Sequence, residues 1–373
     1  MIPYGRQTIE EDDIRAVSEA LRSDWLTQGP RVAEFETALA RYCGAKHAVA
    51  MANGTAALQA AYFAADFKEG DEFITTPLTF AATASMGLWF GAKPVFADVD
   101  PATGNLDPAD TERKVSEKTR AIVPMDYSGR PADLDAFRKI ADRRKLLLIE
   151  DGCHALGASY KGKKIGSVSD MTVFSFHPVK SITTGEGGAV LTDDDALASR
   201  LSSFRMHGIT KNHPDWRYDI GQLALNYRIT DFQCALGISQ LKKLDGFVSR
   251  RQEIADAYLS DFAGVEEIRL PLPVTKGESA WHLFPIRFRR DKLKAGREQL
   301  FVELRDKGLG VQVHYIPVYR HPLYKKMGYS GNQCPHTEDF YEEVVSLPIF
   351  PKLTESDRKA AVRIVKEVVS RHV

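Results

Sequence analysis

Two side chains that follow apolar runs have the chemistry to bracket a charged ligand. Asp151 ends the run KLLLIED, and Lys180 comes 29 positions later (180 minus 151), at the end of SFHPVK and before the glycine-rich TTGEGGAV. An unpaired carboxylate at the end of a buried strand is costly, so Asp151 needs either a helix N-terminus to cap or a protonated ring nitrogen to pair with. Desolvation in such a loop lowers the pKa of a lysine and frees a nucleophilic amine, although loop lysines are more often solvated surface residues.

The segment NGTAAL, residues 53–58, has the composition of an anion cup. Gly54 permits a tight turn after an apolar run, and an alanine-rich helix follows. The amides of Thr55 and Ala56 are expected at the positive end of that helix, where a phosphate dianion binds favourably. By itself, Asn-Gly is more often only a turn. Upstream of Asp151, Phe80 in TTPLTF offers a flat apolar face.

Taken together and in this order, these features meet the demands of a pyridoxal 5'-phosphate (PLP) site. The phosphate needs backbone amides, and the ring needs a flat apolar cover. The pyridine nitrogen needs an anion to keep it protonated, and the aldehyde needs a lysine. The sequence therefore predicts a PLP enzyme with Lys180 and Asp151 as its catalytic residues and no metal.

The elements expected to position these residues alternate between strand and helix. Apolar runs of strand length lie between residues 47 and 193 and are not polar at alternate positions, which is typical of strands covered on both faces; they are HAVAMAN, DEFITTP, KPVFADVD, RAIVPMD, KLLLIED, MTVFSFH and GAVLTD. This pattern predicts an α/β domain with a mostly parallel sheet, whose ligands bind beyond the carboxyl ends of the strands. Thr8 and Glu11 suggest a capping box for a first helix, and a second helix is predicted from Pro30 to Gly44.

The C-terminal third has a different texture, which predicts a smaller α+β domain. A long charged helix is expected over residues 231–262, followed by strands at WHLFPIRF and GVQVHYIP and a closing helix after Thr354. We therefore expect a large α/β domain over residues 1–240, including the N-terminal segment, and a small one over residues 241–373.

Charge and cysteine usage favour a cytoplasmic protein that binds small molecules. The 50 basic and 50 acidic residues of the 373 cancel, so no global field favours nucleic acid or an anionic membrane. The four cysteines are scattered, which fits a reduced compartment. The N-terminus lacks the apolar core of a signal peptide.

Successive blocks of the chain resemble the sugar aminotransferases of PLP fold type I, the DegT/DnrJ/EryC1/StrS family. The similarity runs from the N-terminus to about Tyr324, and the blocks that carry it are LTQGPRVAEFE, NGTAAL, TPLTFAAT, EDGCHALG, SFHPVK, GEGGAV, LNYRITDFQCALG and VHYIPVYRHPLY. The resemblance implies Lys180 as the Schiff-base lysine, Asp151 on the pyridine nitrogen and Phe80 over the ring. It also implies phosphate ligands, namely Gly54, Thr55, Ala56, Ser175 and, from a neighbouring subunit, Asn226. A homodimer with shared active sites follows.

One departure suggests a branch of this family. Many members carry glutamine three residues after the aspartate, where this chain has His154. With SFHPVKSITTGEGGAV and QVHYIPVY, this resembles the enzymes of pseudaminic acid biosynthesis, which aminate UDP-2-acetamido-2,6-dideoxy-β-L-arabino-hexos-4-ulose at its keto carbon with L-glutamate as the expected donor. In that branch the residues implied to border the sugar nucleotide are Tyr4, Asp24, Trp25, Leu26, Thr27, His314, Tyr315, Ile316 and Pro317, besides Thr55, Ser175 and Asn226. His154 is a candidate to orient Asp151, Arg228 is a candidate anion clamp, and His314 is equally well explained as a core histidine.

Three other functions compete with this hypothesis. The first is an aminotransferase for another UDP- or dTDP-linked 4-keto-6-deoxysugar. The second is a PLP-dependent sugar dehydratase, in which the lysine position is typically histidine, so Lys180 argues against it. The third is a regulatory or binding protein that kept the fold without the chemistry, and the presence of both Asp151 and Lys180 counts against that.

Overall fold

A seven-stranded sheet organises the larger part of the molecule in a computed structural model that describes residues 1–210, 216–330 and 333–373. Its strands lie in the order β1-β9-β8-β5-β4-β2-β3. The strands of the described residues are β1 His47–Met51, β2 Glu72–Thr75, β3 Lys93–Phe96, β4 Thr119–Val123, β5 Leu147–Asp151, β6 Ser159–Tyr160, β7 Lys163–Lys164, β8 Met171–Ser175, β9 Gly188–Thr192, β10 Ile209–Thr210, β11 Asp219–Ile220, β12 Ile268–Arg269, β13 Phe284–Phe288 and β14 Val344–Leu347.

Helices cover both faces of this sheet and connect its strands. The helices of the described residues are α1 Glu11–Leu21, α2 Pro30–Cys43, α3 Gly54–Ala64, α4 Ala81–Leu88, α5 Pro108–Lys114, α6 Leu134–Arg144, α7 Asp195–Arg205, α8 Asp231–Leu241, α9 Leu244–Asp261, α10 Arg297–Asp306, α11 Pro322–Lys326, α12 Pro335–Glu343 and α13 Glu355–Ser370. Along the described residues, none of these helices combines the length and apolarity that crossing a bilayer requires.

The prediction of a mostly parallel, doubly covered sheet is confirmed. Neighbouring strands β3, β2, β4, β5 and β8 pair in parallel, and only β9 runs against its neighbours β8 and β1. The residues of β9 are all buried, and those of β1, β5 and β8 are buried except at one end. Strands covered on both faces need apolar side chains at successive positions, which is why these runs lack polar alternation.

A three-stranded antiparallel sheet, β12-β13-β14, has a second apolar core with helices α10 and α13. Helix α9 contributes to both cores: Leu244 and Val248 belong to the core of the large sheet, whereas Ile254 and Tyr258 belong to the second core. The division of the chain into domains 1–240 and 241–373 stays a prediction.

Three local predictions are wrong. The capping box of α1 is formed by Glu10 and Asp13, because the helix begins at Glu11 after an extended N-cap residue, Glu10, whereas Thr8 is buried. The helix expected over residues 231–262 is two helices, α8 and α9, separated by a turn at Lys242 and Lys243. The segment GVQVHYIP has only one isolated bridge, Gln312 to Ser346, so the strand beside β13 is β14 instead.

Candidate active site

The carboxyl ends of four strands bring the predicted chemistry to one edge of the large sheet. Because β1, β2, β5 and β8 point the same way, the segments that follow them emerge together. Asp151 ends β5 and Ser175 ends β8, whereas Gly54 and Phe80 lie in the connections after β1 and β2. Ligands of open α/β sheets bind at such an edge, so this is the candidate active site.

Asp151 is buried and held by two donors. Its Oδ2 accepts a hydrogen bond of 2.6 Å from the Thr83 hydroxyl, and its Oδ1 accepts one of 3.1 Å from the Cys153 amide. Turns rather than a helix follow it, so Asp151 is not a helix cap. Thr83, on the first turn of α4, is a residue that sequence reasoning missed; its place in TPLTFAAT, one turn after Phe80, was the available indication.

Lys180 lies in the loop after β8, close enough to Asp151 and Cys153 to interact with both. Desolvation of its amine by the surrounding protein lowers the pKa of Lys180, and the Cys153 thiol and the Asp151 carboxylate act in the opposite direction. Within the described ranges, the amine donates no hydrogen bond to another group. A desolvated amine of this kind is suited to covalent chemistry and proton transfer.

The turn at the start of α3 approaches β8 closely. A Cβ on Gly54 would lie 2.8 Å from the Ser175 Cβ, so only glycine permits this approach. Asn53 caps the helix by accepting the Ala56 amide at 2.8 Å. The Ala56 amide was expected to bind phosphate, but it already donates to Asn53, and Ala56 is buried. Thr55, in contrast, is exposed. The structure thus brings Gly54, Thr55 and Ser175 together at the place predicted for the anion cup.

A wall of aromatic and histidine side chains lines the same site. The Tyr315 hydroxyl is 2.9 Å from His154 Nε2, and the His154 ring packs against the His282 ring with centroids 4.2 Å apart. Phe80 is 60% exposed and lies with its ring centroid 6.4 Å from that of Tyr315. A ring that is so exposed beside buried neighbours is available to cover a ligand. His282, the second residue of WHLFPIRF, was not singled out from the sequence; its place as a histidine in an apolar run was the available indication.

The sequence suggested that His154 orients Asp151, but in the structure it does not. Its Nε2 pairs with Tyr315, and its Nδ1 is buried with no partner among the described residues. Thr83 and the Cys153 amide hold the aspartate instead. The Nδ1 of His154 is therefore free to hydrogen-bond a ligand.

The predicted sugar-binding residues divide into two groups. His314 is half-buried beside the site, with Nδ1 2.9 Å from the Ser346 hydroxyl and its ring 5.8 Å from that of Tyr4. Its carbonyl accepts a hydrogen bond of 2.6 Å from Tyr127. Ile316 and Pro317 continue the same segment. His314 fits both explanations, as a core histidine and as a residue of the site, because its ring is packed and it is next to Tyr315.

The second group lies along a different stretch of the molecule. Thr27 forms a bridge with Thr230, and the Asp231 amide donates to the Leu26 carbonyl at 3.0 Å. Trp25, 55% exposed, and the exposed Asp24 precede them, while Asn226 and Arg228 precede Thr230. Among the described residues no hydrogen bond or ion pair joins this group to Asp151 or Lys180 of the same chain.

The three buried histidines predict acid instability. Burial lowers the pKa of His154 and His282 well below the usual value and that of His314 to about 3. In the unfolded chain each histidine titrates near about 6.5, so below that pH the unfolded state binds protons that the folded state does not. We expect the free energy of unfolding to fall with decreasing pH below about 6.5, by up to about 1.4 kcal/mol per pH unit for each histidine. Urea titrations of the cofactor-free protein will measure this, and His282→Asn should show a smaller slope. Equal stability at pH values of about 7.5 and 5.5 would contradict the prediction.

Thr83 offers a prediction specific to the site. Thr83→Val keeps the shape of the side chain but removes the donor to Asp151, and we expect kcat to fall about tenfold. Thr79→Val is the matched control, because Thr79 contacts Thr83 at 2.8 Å but not the aspartate. Steady-state kinetics of both variants will check this. Equal losses in the two would show that the bond to Asp151 is unimportant.

The residues present fit PLP. A carboxylate held by a hydroxyl and an amide can pair with a protonated pyridine nitrogen, and the desolvated amine of Lys180 can take the aldehyde. The start of α3 with Ser175 can take the phosphate, Phe80 can cover the ring, and the unpartnered His154 nitrogen can face a polar group on it.

Comparisons with known proteins agree with this geometry. The model of the DegT/DnrJ/EryC1/StrS aminotransferase family matches residues 7–367. The chain is 40% identical over 362 residues to the UDP-4-amino-4,6-dideoxy-N-acetyl-beta-L-altrosamine transaminase of Campylobacter jejuni, covering 96% of this chain and 95% of that protein. It is 38% identical over 377 residues to the spore coat polysaccharide biosynthesis protein SpsC of Bacillus subtilis, covering 99% and 97%.

A solved structure is also similar over nearly the whole chain. Helicobacter pylori PseC, an aminotransferase involved in the biosynthesis of pseudoaminic acid, superposes with a TM-score of 0.94 and 34% identity over 99% of both chains. Aminotransferases of this family use PLP. Since the family model and these relatives span nearly the whole chain, the protein belongs to the DegT/DnrJ/EryC1/StrS aminotransferase family and is a PLP-dependent nucleotide-sugar aminotransferase.

Proposed function

We propose that this enzyme transfers the amino group of L-glutamate to the 4-keto carbon of UDP-2-acetamido-2,6-dideoxy-β-L-arabino-hexos-4-ulose, a step of pseudaminic acid biosynthesis. The observation that carries the proposal is the end-to-end similarity to the Campylobacter jejuni transaminase and to Helicobacter pylori PseC. The site supports it through His154, the residue that separates this branch from members with glutamine, and through the histidine–tyrosine segment that packs against it.

Within this function, Lys180 and Asp151 are the proposed catalytic residues. PLP, when bound, acts as an electron sink for the carbon next to the reacting nitrogen. Asp151 would pair with the protonated ring nitrogen, because Thr83 and the Cys153 amide hold its carboxyl group in position. The amine of Lys180, with a pKa lowered by desolvation, removes a proton from the α-carbon of glutamate and returns a proton at C4 of the sugar.

The side chains proposed to bind the sugar nucleotide stay neutral. Burial keeps His154 and His314 unprotonated, so each offers one donor and one acceptor to a sugar hydroxyl or amide. We propose that Tyr4, His314 and Tyr315 border the sugar nucleotide, because they form one contiguous aromatic group next to His154.

We also propose that the active enzyme is a cytoplasmic homodimer whose sites are shared. The segment that precedes Asn226 exposes apolar side chains, among them Trp216 at 85% and Leu223 at 92%, which a second copy would cover. Asn226 and Arg228 would then reach the phosphate or substrate of the neighbouring subunit, in keeping with their separation from Lys180 in one chain. Sedimentation analysis tests this: a monomer at micromolar concentration with full activity would overturn it. The four free cysteines fit a reducing compartment.

The experiment that tests the substrate is a panel of nucleotide-linked keto sugars. Purified enzyme is supplied with L-glutamate and UDP- or dTDP-linked 4-keto-6-deoxysugars, and the products are identified by NMR. We expect the UDP-linked 2-acetamido-β-L-arabino sugar to give the highest kcat/KM. Preference for a different keto sugar would replace the proposed substrate, and the absence of amino transfer to any sugar would overturn the function.

A second candidate substrate has its own support. The similarity to SpsC, which belongs to spore coat polysaccharide biosynthesis, is as extensive as that to the Campylobacter jejuni enzyme. An aminotransferase for another UDP- or dTDP-linked 4-keto-6-deoxysugar is therefore the alternative that the same panel separates.

A further inference from the structure

Beneath Asp151, two carboxyl groups face each other in the core. Asp126, in the connection after β4, and Glu150, in β5, are both fully buried, and their side chains are within hydrogen-bonding contact. Asp126 Oδ2 and Glu150 Oε1 have no donor among the described residues. Two carboxylates cannot hydrogen-bond without a proton between them, so one of the two is protonated.

The remaining donors decide which of the two carries the charge. Glu150 Oε2 accepts from the hydroxyls of Thr172 at 2.8 Å and Ser169 at 3.1 Å. Asp126 Oδ1 accepts only the Ala132 amide, at 2.8 Å. Hydrogen bonds to a carboxylate favour its charged form, so the negative charge is better placed on Glu150 and the proton on Asp126. Burial, and next the charge of Glu150, raise the pKa of Asp126 well above the usual value, which agrees with this.

The pair is joined to the candidate active site by the backbone. Glu150 precedes Asp151 directly, and the Asp126 amide donates to the Asp151 carbonyl at 3.1 Å. The loop that Asp126 begins packs under the histidine wall, where a Cβ on Gly129 would lie 2.9 Å from the His154 carbonyl oxygen and 3.0 Å from the His282 amide. Movement of Asp126 would therefore displace Asp151, His154 and His282 together.

Three carboxyl groups this close cannot all be ionised, since like charges in a buried site repel strongly. If the proton went to Asp151, that residue could no longer keep a ring nitrogen protonated. Two thiols of the described residues also interact with this pair, Cys43 with Glu150 and Cys153 with Asp126. Burial raises the pKa of Cys43 to about 12 and that of Cys153 well above its usual value, so both thiols stay neutral. A proton held between Asp126 and Glu150 therefore reduces the like-charge repulsion beside Asp151.

We propose that Asp126 and Glu150 share one proton, carried by Asp126, and that these positioning residues hold Asp151 in place. The consequence for Asp151 rests on the proposed function, whereas the shared proton does not. The first test therefore uses the cofactor-free protein, and the second uses the holoenzyme.

Infrared spectroscopy detects the proton directly. At neutral pH the cofactor-free wild-type protein should show the carbonyl stretch of a protonated carboxylic acid, and Asp126→Asn should lose it. Asp135→Asn, which removes an exposed carboxylate paired with Lys161, should keep the band. A wild-type spectrum without the band, or a band that persists in Asp126→Asn, overturns the shared proton whatever the enzyme does.

Stability against pH provides an independent measurement on the same protein. Because the folded-state pKa of Asp126 is raised, its stabilising contribution is complete below the unfolded-state value of about 3.9 and is lost as the pH rises through the folded-state value. Asp126→Asn has no proton to lose there. Its melting temperature should rise relative to that of the wild-type protein as the pH is raised, and a constant difference would overturn the assignment.

Variants of the holoenzyme test the consequence for Asp151. Asparagine at position 126 can still donate to Glu150 and accept from Ala132, whereas Asp126→Leu does neither. We expect kcat to be at least about tenfold higher in Asp126→Asn than in Asp126→Leu, and the pH dependence of cofactor absorbance to shift only in the leucine variant. Equal damage in the two would show that a negative charge at position 126 is required and would overturn the proposal. The infrared band with failed amino transfer in the wild-type enzyme would instead overturn the proposed function alone.

Discussion

Lys180→Ala should abolish amino transfer, with kcat reduced by at least about a thousandfold. The variant loses both the amine that takes the PLP aldehyde and the base that moves the proton. Lys180 is the lysine whose amine interacts with Asp151. The visible absorbance of lysine-linked PLP should disappear, and after borohydride reduction the wild-type peptide that contains Lys180 should carry the cofactor mass while the variant has none.

Lys161→Ala is the matched control for this experiment. Lys161 is an exposed lysine whose amine pairs with Asp135 on the surface, so its removal should change neither absorbance nor turnover. Far-ultraviolet circular dichroism should be the same for both variants. Turnover by Lys180→Ala within tenfold of the wild-type rate, or a cofactor mass on a different peptide, would refute the assignment of Lys180.

Asp151→Asn should lower kcat by roughly a hundredfold to a thousandfold, equivalent to about 3–4 kcal/mol of transition-state stabilisation. The amide has the same shape and can still accept from Thr83, but it has no charge to hold the proton on the ring nitrogen. The effect should lie mainly in kcat rather than KM, because the electron sink matters most when charge develops at the substrate carbon. Steady-state kinetics with glutamate, combined with the absorbance of bound PLP, will measure this.

Two further variants serve as controls for this prediction. Thr83→Val leaves the carboxylate charged and should be much less damaging than Asp151→Asn, while Asp98→Asn alters a buried aspartate of another region, bonded to the Thr337 and His336 amides. Asp98→Asn should affect stability and leave the cofactor absorbance unchanged. A loss in Asp151→Asn no larger than that in Thr83→Val would show that the charge of residue 151 has no role in the chemistry.

Local patterns predicted the elements that carry the site. The seven strands of the large sheet coincide with apolar runs of strand length. Helix α2 ends as predicted at Gly44, which adopts the left-handed conformation of a glycine cap. The order of NGTAAL, Phe80, Asp151 and Lys180 along the chain predicted one site, because parallel strands place their carboxyl ends at one edge. The family similarity is confirmed over residues 7–367.

Predictions failed where one sequence pattern is compatible with two different local structures. The charged stretch 231–262 has helical periodicity throughout, but the chain turns at Lys242 and Lys243 between α8 and α9, and α9 then packs on both cores. GVQVHYIP has the composition of a strand, yet it follows the site wall while β14 occupies the place beside β13. Neither outcome depends on residues within the segment, so no local pattern reports it.

The sequence by itself determined which residue types are available and at which strand ends they emerge, because burial periodicity and turn residues are local properties. Only the tertiary structure decided their partners. Thr83 rather than His154 holds Asp151, His282 packs against His154, and Asp126 faces Glu150. Each of these pairs joins segments distant in the chain, and the charge of a buried carboxyl group or imidazole depends on such neighbours, which the fold alone brings together.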